Sequence, residues 1–388
     1  MRKKILKYFQ GDAVIWTVIV ALSLISLLAV YSSTGTLAYK KMGGNTTYYL
    51  IKHGSILIFG IVMIFIVHHI NYKYYMGLSI LLIYLTIPLL LWTLIKGASL
   101  NEAARWVTLP GIGLTFQTSD FAKLVLIMFI ARFLSKNQDN IKNFKSGFRS
   151  IIIWVILICG LIFPANFSTA AILFFTSLVL LFFGRVKITY ILGVIGMGIV
   201  VMTLFILFLY AMPEDKRGRL GTWKHRVESF ISGDDEENFQ VEQAKIAIVT
   251  GGLIGKGPGN SVQRNFLPHP YSDFIYAIII EEYGLIGGIF IILLYLILLY
   301  RAGVIVRKCN SQFAAFLTLG LTIMIVFQAF INMAVAVNLF PVTGQTLPFV
   351  SMGGTSIIFS SIAMGIVLNV SKTSKKIKSH EQDQKSDN

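Results

Sequence analysis

In the run LPHPYSDFIYAIIIEEYGLIGG, Asp273 stands where a polar segment gives way to a strongly apolar helix. A carboxylate at the mouth of a membrane helix is costly unless it is solvated, paired or used, so Asp273 is the first candidate for a general base. Its plain alternative is an anion complementing a helix N-terminus. A second group opens another apolar run at TSDFAK, where Asp120 and Lys123 are three residues apart and share a helical face. Thr118, Ser119 and Asp120 also suit a helix start, so Asp120 fits a capping role equally well. Lys123 lies inside the apolar stretch, and a buried ammonium wants a carboxylate, from Asp120 or from Asp273. Arg105, in the adjoining AARW, is a fixed cation suited to phosphate oxygens, though an ordinary surface arginine fits the same spacing.

Two further sets invite chemistry and fit it less well. Glu281 and Glu282 follow Asp273 by about 12 to 13.5 Å along a helix axis, Glu281 about 80° round from it and Glu282 nearly opposite. They are read as hydrogen-bonded residues of a bundle. Gly284 and Gly288 form a small-xxx-small pair that lets a neighbouring helix come close. In GGLIGKGPGNS, Lys256 is followed by Gly257, whereas a nucleotide phosphate loop needs Lys-Ser or Lys-Thr between a strand and a helix. A flexible loop is the plain reading. The functional one is a nest of backbone N–H groups which, with Lys256, takes a lipid-linked diphosphate.

Positioning these residues requires a membrane bundle. Hydrophobic residues make up 55% of the 388, charged residues 13%, and the mean hydropathy is +0.72; a soluble chain carries about twice that charge. Apolar stretches able to cross a hydrocarbon layer recur at 13–32, 50–69, 75–95, 119–135, 149–164, 167–184, 187–211, 273–300, 312–339 and 354–371. The expected fold is therefore an all-α polytopic membrane protein of about ten transmembrane helices, one domain over 1–371. A long extracytoplasmic loop, 212–272, joins helices seven and eight. Within it Ile246, Ala247 and Val249 beside Gln243 and Lys245 suggest a short amphipathic helix at the interface. The segments 96–119 and 340–354 are read as further ordered loops, and 372–388 as a disordered cytoplasmic tail.

An even number of spans puts both termini on one side, and the clustered Lys and Arg of the N-terminal segment, the even-numbered connections and the tail make that side cytoplasmic. The outer 212–272 loop is balanced at eight basic and eight acidic residues. The net charge of +16 thus reports topology and contact with membrane lipids rather than nucleic-acid binding. Cys159 and Cys309 fall on opposite sides and cannot pair, and the scattered histidines suggest no metal site.

Three strings in order, GLIGKGPGNSVQ, LPHPYSDFIYAIIIEEYGLIGG and NLFPVTGQTLPFVSMGGTS, together with ARW, FQTSDFAK and ARFLS, resemble the SEDS family of cell-shape and division proteins over essentially the whole chain. GPGNSVQ and GQTLP are closer to its FtsW division branch than to its RodA elongation branch. The resemblance implies a peptidoglycan glycosyltransferase (lipid II polymerase) at the outer face of the cytoplasmic membrane, at the division septum. It implies lipid II as substrate, a class B penicillin-binding-protein transpeptidase as partner, and the other divisome proteins. Asp273 matches the family's essential aspartate. Arg105, Asp120, Lys123, Gln243 and Lys245 match its polar positions, and with Lys256 and Ser351 they form the expected substrate-binding set. Thr118 replaces a usual proline. FPANFSTA departs further, placing Ala165, Asn166 and Ser168 where the family has proline, aspartate and glycine, so no role is expected of that aspartate here.

The chemistry fits these residues independently of the family. Joining a sugar hydroxyl to an anomeric carbon that bears a lipid diphosphate needs a base and cations for the leaving group, Asp273 for the first and Arg105, Lys123 or Lys245 for the second. No cofactor is required by the sequence; a divalent cation could share the diphosphate charge. The competing classes are a flippase for the same lipid and a noncatalytic scaffold that activates the transpeptidase. A flippase calls for ionisable groups near the midplane, whereas the strongest constellation lies at a helix mouth.

Overall fold

A computed structural model describes residues 10–96, 98–100, 103–108, 115–211 and 236–386, some positions at element ends by backbone alone. Its helices are α1 (Ala13–Ser33), α2 (Gly35–Met42), α3 (Thr46–His69), α4 (Tyr72–Lys96), α5 (Thr118–Lys136), α6 (Arg149–Ile162), α7 (Phe167–Phe183), α8 (Ile188–Ala211), α9 (Glu236–Gly251), α10 (Ile275–Val306), α11 (Gln312–Ala336) and α12 (Gly354–Ser386). Each of the ten expected spans falls in one long helix, with α2 and α9 as short additions. Among the described residues eight helical spans are long and apolar enough to cross a membrane, α6 together with the π-helical turn Phe144–Phe148 that runs into it. Of the other two, α7 is apolar but has 17 residues, and α5 carries Asp120, Lys123, Arg132 and Lys136.

Local chemistry starts several of these helices. The Asp12 carboxylate accepts the N–H groups of Val14 at 3.0 Å and Ile15 at 3.3 Å to open α1; Asn45 does the same for α3 through Tyr48 and Asn166 for α7 through Thr169. The bundle is built around α11 and α12, whose spans are 67% and 72% buried, while only 6% of the α8 span is. α11 is packed by α5, α7, α10 and α12, and α8 presents most of its side chains to the outside.

Four expectations need correction. The 96–119 segment is not simply a loop: β1 (Ala98–Leu100), β2 (Ala103–Thr108) and β3 (Thr115–Gln117) make an antiparallel meander with Trp106 opposite Gln117, and Phe116 stacks on Phe121 and Phe359 to fasten it to the bundle. The stretch 372–388, expected as a disordered tail, continues α12 to Ser386; Lys, Gln and Glu without Gly or Pro keep helix propensity. The apolar side of α9 is Val241, Ala244 and Ala247, buried against α10, whereas Ile246 and Val249 are exposed. Finally, Gly284 is no helix-contact glycine. It breaks α10 with φ 71° and ψ −176°, and a Cβ there would lie 2.2 Å from the Leu253 carbonyl oxygen. What approaches is a loop.

That loop, residues 251–263, is docked rather than flexible. The N–H groups of Lys256 and Gly257 donate to the carbonyls of Glu281 and Glu282, both at 2.9 Å, and Leu285 N–H donates to Gly252 O at 2.9 Å. Helix carbonyls freed by the break thus gain partners from another segment. Glu281, completely buried, accepts from Lys256 Nζ at 2.6 Å, Ser261 Oγ at 2.5 Å, Val262 N at 3.1 Å and Gln263 N at 3.3 Å. Glu282 accepts from the Ser32 hydroxyl and, at 3.4 Å, from Ser261 N. Both glutamates are structural, as their helical positions suggested.

Candidate active site

Asp273 lies in a turn two residues ahead of α10 and is half-buried. Ser272 Oγ donates to its Oδ1 at 2.9 Å, which orients one carboxylate oxygen. Its backbone carbonyl accepts from Asn332 Nδ2 at 2.9 Å, and the same amide donates to Gln345 O at 2.7 Å. Asn332 on α11 therefore sets Asp273 against the 339–353 segment. Ser351 Oγ reinforces this joint by donating to Ser272 O at 2.6 Å and accepting from Leu347 N at 2.7 Å, and Met352 N–H donates to Tyr271 O at 2.9 Å. Burial, then Tyr49 and Asp273 nearby, raise the Tyr271 phenol above its ordinary pKa. It remains a neutral hydroxyl beside the carboxylate at physiological pH.

One helical turn before Asn332, Gln328 makes the matching connection to the charged pair. Lys123 Nζ sits 2.8 Å from Asp120 Oδ1 and donates to Gln328 Oε1 at 2.8 Å; Gln328 Nε2 donates to Thr346 O at 3.0 Å. Thr355 donates to the other Asp120 oxygen at 3.3 Å. Gln328 and Asn332, about 6 Å apart along the axis, thus bind consecutive residues 345 and 346 and tie the Asp120–Lys123 pair to the Asp273 turn. Asp120 and Lys123 are about 95% buried. A buried ammonium balanced by a carboxylate and an amide is a strut between α5, α11 and the loop.

The remaining expected residues divide. Ser351 is buried, its hydroxyl donating to Ser272 O and accepting from Leu347 N, so it clamps the site. Lys256 pairs with Glu281 through Nζ, and its N–H donates to a helix carbonyl. Gln243, half-buried, and Lys245, exposed, stand on α9. Arg105 belongs to β2, but its side chain lies outside the described residues. Asn166, at the position where the family pattern has aspartate, keeps the capping oxygen of α7 and also accepts from Gln345 Nε2 at 3.4 Å; the same Gln345 amide donates to Thr169 Oγ1 at 2.9 Å. An amide performs this role without charge. Among the described residues no three His, Cys, Asp or Glu side chains gather as a cation site.

Gln328, Asn332 and Gln345 were not singled out from the sequence. The signal was present in α11, where two amides four residues apart interrupt an apolar run and polar groups inside a membrane helix need partners.

The sequence profile of the FtsW/RodA/SpoVE "Cell cycle protein" family matches residues 12–376. The chain belongs to that family. Among curated relatives, it is 32% identical over 376 residues to the "Probable peptidoglycan glycosyltransferase FtsW" of Trichlorobacter lovleyi, covering 95% of each chain. It is 32% identical to "Stage V sporulation protein E" of Bacillus subtilis, covering 95% of this chain and 99% of that one. Two solved structures share the fold at 21% identity. One is a chain from a peptidoglycan synthase complex that coordinates polymerization and crosslinking, with TM-score 0.71 and coverage of 94% and 98%. The other is the rod shape determining protein RodA of Thermus thermophilus, with TM-score 0.67 and coverage of 93% and 96%. The family membership and the eight long apolar helices make this a multi-pass membrane protein.

Proposed function

We propose that this chain is a peptidoglycan glycosyltransferase that polymerises lipid II at the outer face of the cytoplasmic membrane during cell division, with Asp273 as general base. The observation that carries the reading is the half-buried carboxylate of Asp273, oriented by Ser272 and held through its backbone by Asn332, in a family whose curated members are named for this activity. In the reaction the acceptor sugar hydroxyl attacks the anomeric carbon of the donor. The new C–O bond forms as the bond to the lipid diphosphate breaks, and the hydroxyl proton passes to the Asp273 carboxylate. A single inverting displacement needs one base, and the diphosphate leaves as an anion stabilised by cations. Arg105 and Lys245 are the residues assigned to it. Lys123, by its burial, acts by positioning the loop at Thr346.

The orientation rests on the basic residues of the N-terminal segment and of residues 372–378, which would face the cytoplasm. A class B penicillin-binding-protein transpeptidase would supply crosslinking, a reading in keeping with the synthase complex that the chain resembles in fold. Transport of the same lipid would call for titrating groups at mid-membrane, and the charged network described above gathers at one end of the bundle. The deciding experiment compares glycan-strand formation from purified lipid II by wild type and Asp273→Asn, each with the transpeptidase present. The amide keeps the size of the carboxylate but accepts no proton. The expected loss is about 100-fold to 10,000-fold in rate with unchanged melting temperature. Polymerisation near the wild-type rate would remove Asp273 from the chemistry.

A further inference from the structure

At the end of the bundle opposite Asp273, a cavity of about 540 Å³ opens between the start of α4, the end of α5, the start of α11 and residues 373–374 of α12. Tyr72, Lys73, Ser135, Ser311, Gln312 and Ser374 line it, and among the described residues no Asp or Glu does. Three independent features give it the chemistry of an anion site. Tyr72 is more than nine-tenths buried, and its hydroxyl makes no hydrogen bond among the described residues although its ring packs on Phe313. Lys73 brings an ammonium that forms no ion pair among the described residues. Ser311 is the N-cap of α11 yet its side chain accepts no N–H from the first turn, which leaves the positive end of that helix open toward the cavity.

The neighbouring helix start, on the same cavity wall, is by contrast satisfied by side chains. At α4, Asn369 Oδ1 accepts the N–H of Tyr72 at 2.9 Å and Asn71 Oδ1 that of Lys73 at 3.1 Å. The space also exceeds what a bare oxyanion fills, given about 30 Å³ for a water molecule in the liquid. It lies level with the ends of four spans, where headgroups sit. We propose that this cavity binds the phosphate of an anionic phospholipid headgroup, the phosphate oxygens taking Lys73 Nζ, the Tyr72 hydroxyl and the open N–H groups of α11, and the rest of the headgroup taking the hydroxyls of Ser135 and Ser374. The inference does not depend on the proposed reaction.

Thermal melting of the purified full chain in uncharged detergent tests it, titrated with dioctanoyl phosphatidylglycerol, dioctanoyl phosphatidylcholine or inorganic phosphate. Saturable stabilisation by phosphatidylglycerol is expected, with little from the zwitterionic lipid. Lys73→Met, at an exposed position, should melt like wild type without lipid and bind the anionic lipid about tenfold or more weakly, the usual worth of one charge-assisted hydrogen bond. Ser135→Leu, which puts an apolar branched side chain into the cavity wall, should weaken the shift. An equal lipid shift in wild type and Lys73→Met, an equal shift from the two lipids, or no shift would overturn the site. A Lys73-dependent shift from inorganic phosphate, with none from the lipid, would overturn the lipid as its ligand and leave a soluble oxyanion site.

Discussion

Replacing Glu281 by glutamine tests whether the carboxylate behind the broken helix holds the 251–263 loop, and the expected cost follows from its partners. Oε1 accepts from Lys256 Nζ and Val262 N, and Oε2 from Ser261 Oγ and Gln263 N. With its NH₂ at the Oε1 position the amide of Glu281→Gln faces two donors, Lys256 Nζ and Val262 N–H; at the Oε2 position it faces Gln263 N–H and the Ser261 hydroxyl, which can turn to accept, so at least one hydrogen bond becomes a repulsive contact and the others lose their charge. Removing one charge of a buried pair typically costs about 3–5 kcal/mol. Because Lys256 retains 29% side-chain exposure and can turn to water, the lower half of that range is expected. At roughly 2–4 °C per kcal/mol for mid-sized chains, the melting temperature should fall by several degrees, and amide hydrogen exchange across residues 252–263 should accelerate. Adding Lys256→Met to Glu281→Gln should restore part of the loss, since the ammonium no longer lacks its anion. A melting temperature within about 1 °C of wild type together with unchanged exchange in that loop would refute the assignment. The contrast with Asp273→Asn is informative: the same acid-to-amide change should damage stability at Glu281 and chemistry at Asp273.

Two further outcomes are expected. Lys123→Met should lower the melting temperature by leaving the Asp120 carboxylate buried without its ammonium, a loss of about 3–5 kcal/mol, and Asp120→Asn in the same chain should recover much of it; an unchanged melting temperature for Lys123→Met would show that the pair does not brace the bundle. For orientation, a cysteine at exposed Pro258 in a chain lacking Cys159 and Cys309 should react with an impermeant reagent in intact cells, and one at Lys376 only after permeabilisation; the reverse pattern would invert the topology and move Asp273 to the inner side.

The spans were legible because each depends only on a run of apolar side chains long enough for the membrane, a local property. The same reasoning read through IIIEEYGLIGG as one uninterrupted helix. Nothing local distinguishes Gly284 from Gly288; the difference is made by Gly251 and Gly255, whose backbones press on residues 280–284 from another segment. The pairing of Asp120 with Lys123 was visible as a three-residue spacing, but their engagement with Gln328 and Thr355 spans 205 and 235 residues, a distance no periodicity reports. The motifs bring Ser351 and Lys256 into the expected substrate set, while their hydrogen-bond partners, Ser272, Leu347 and Glu281, are tertiary facts. The meander in 96–119 was hidden by its brevity, since strands of three to six residues between glycine and proline look like loop.

The segment from Gln345 to Met352 is fastened from nearly every direction. Thr169 on α7 receives Gln345, Gln328 on α11 receives Thr346, Tyr295 on α10 donates to Pro348 O, and Ser26 on α1 donates to Val350 O across 324 residues of sequence. Phe349 is held there with φ 64°, buried, a backbone state that a bulky residue adopts only under constraint. During synthesis this segment leaves the ribosome after nine of the ten spans, so those helices must first be inserted with Gln328, Asn332 and Ser26 lacking their final acceptors. The bundle is then a socket waiting for its plug. Chains that stop before residue 345 would hold most of the membrane-spanning mass and still lack the part that joins Asp273 to Lys123, so assembly of the site is a late event of biogenesis, with only α12 still to follow.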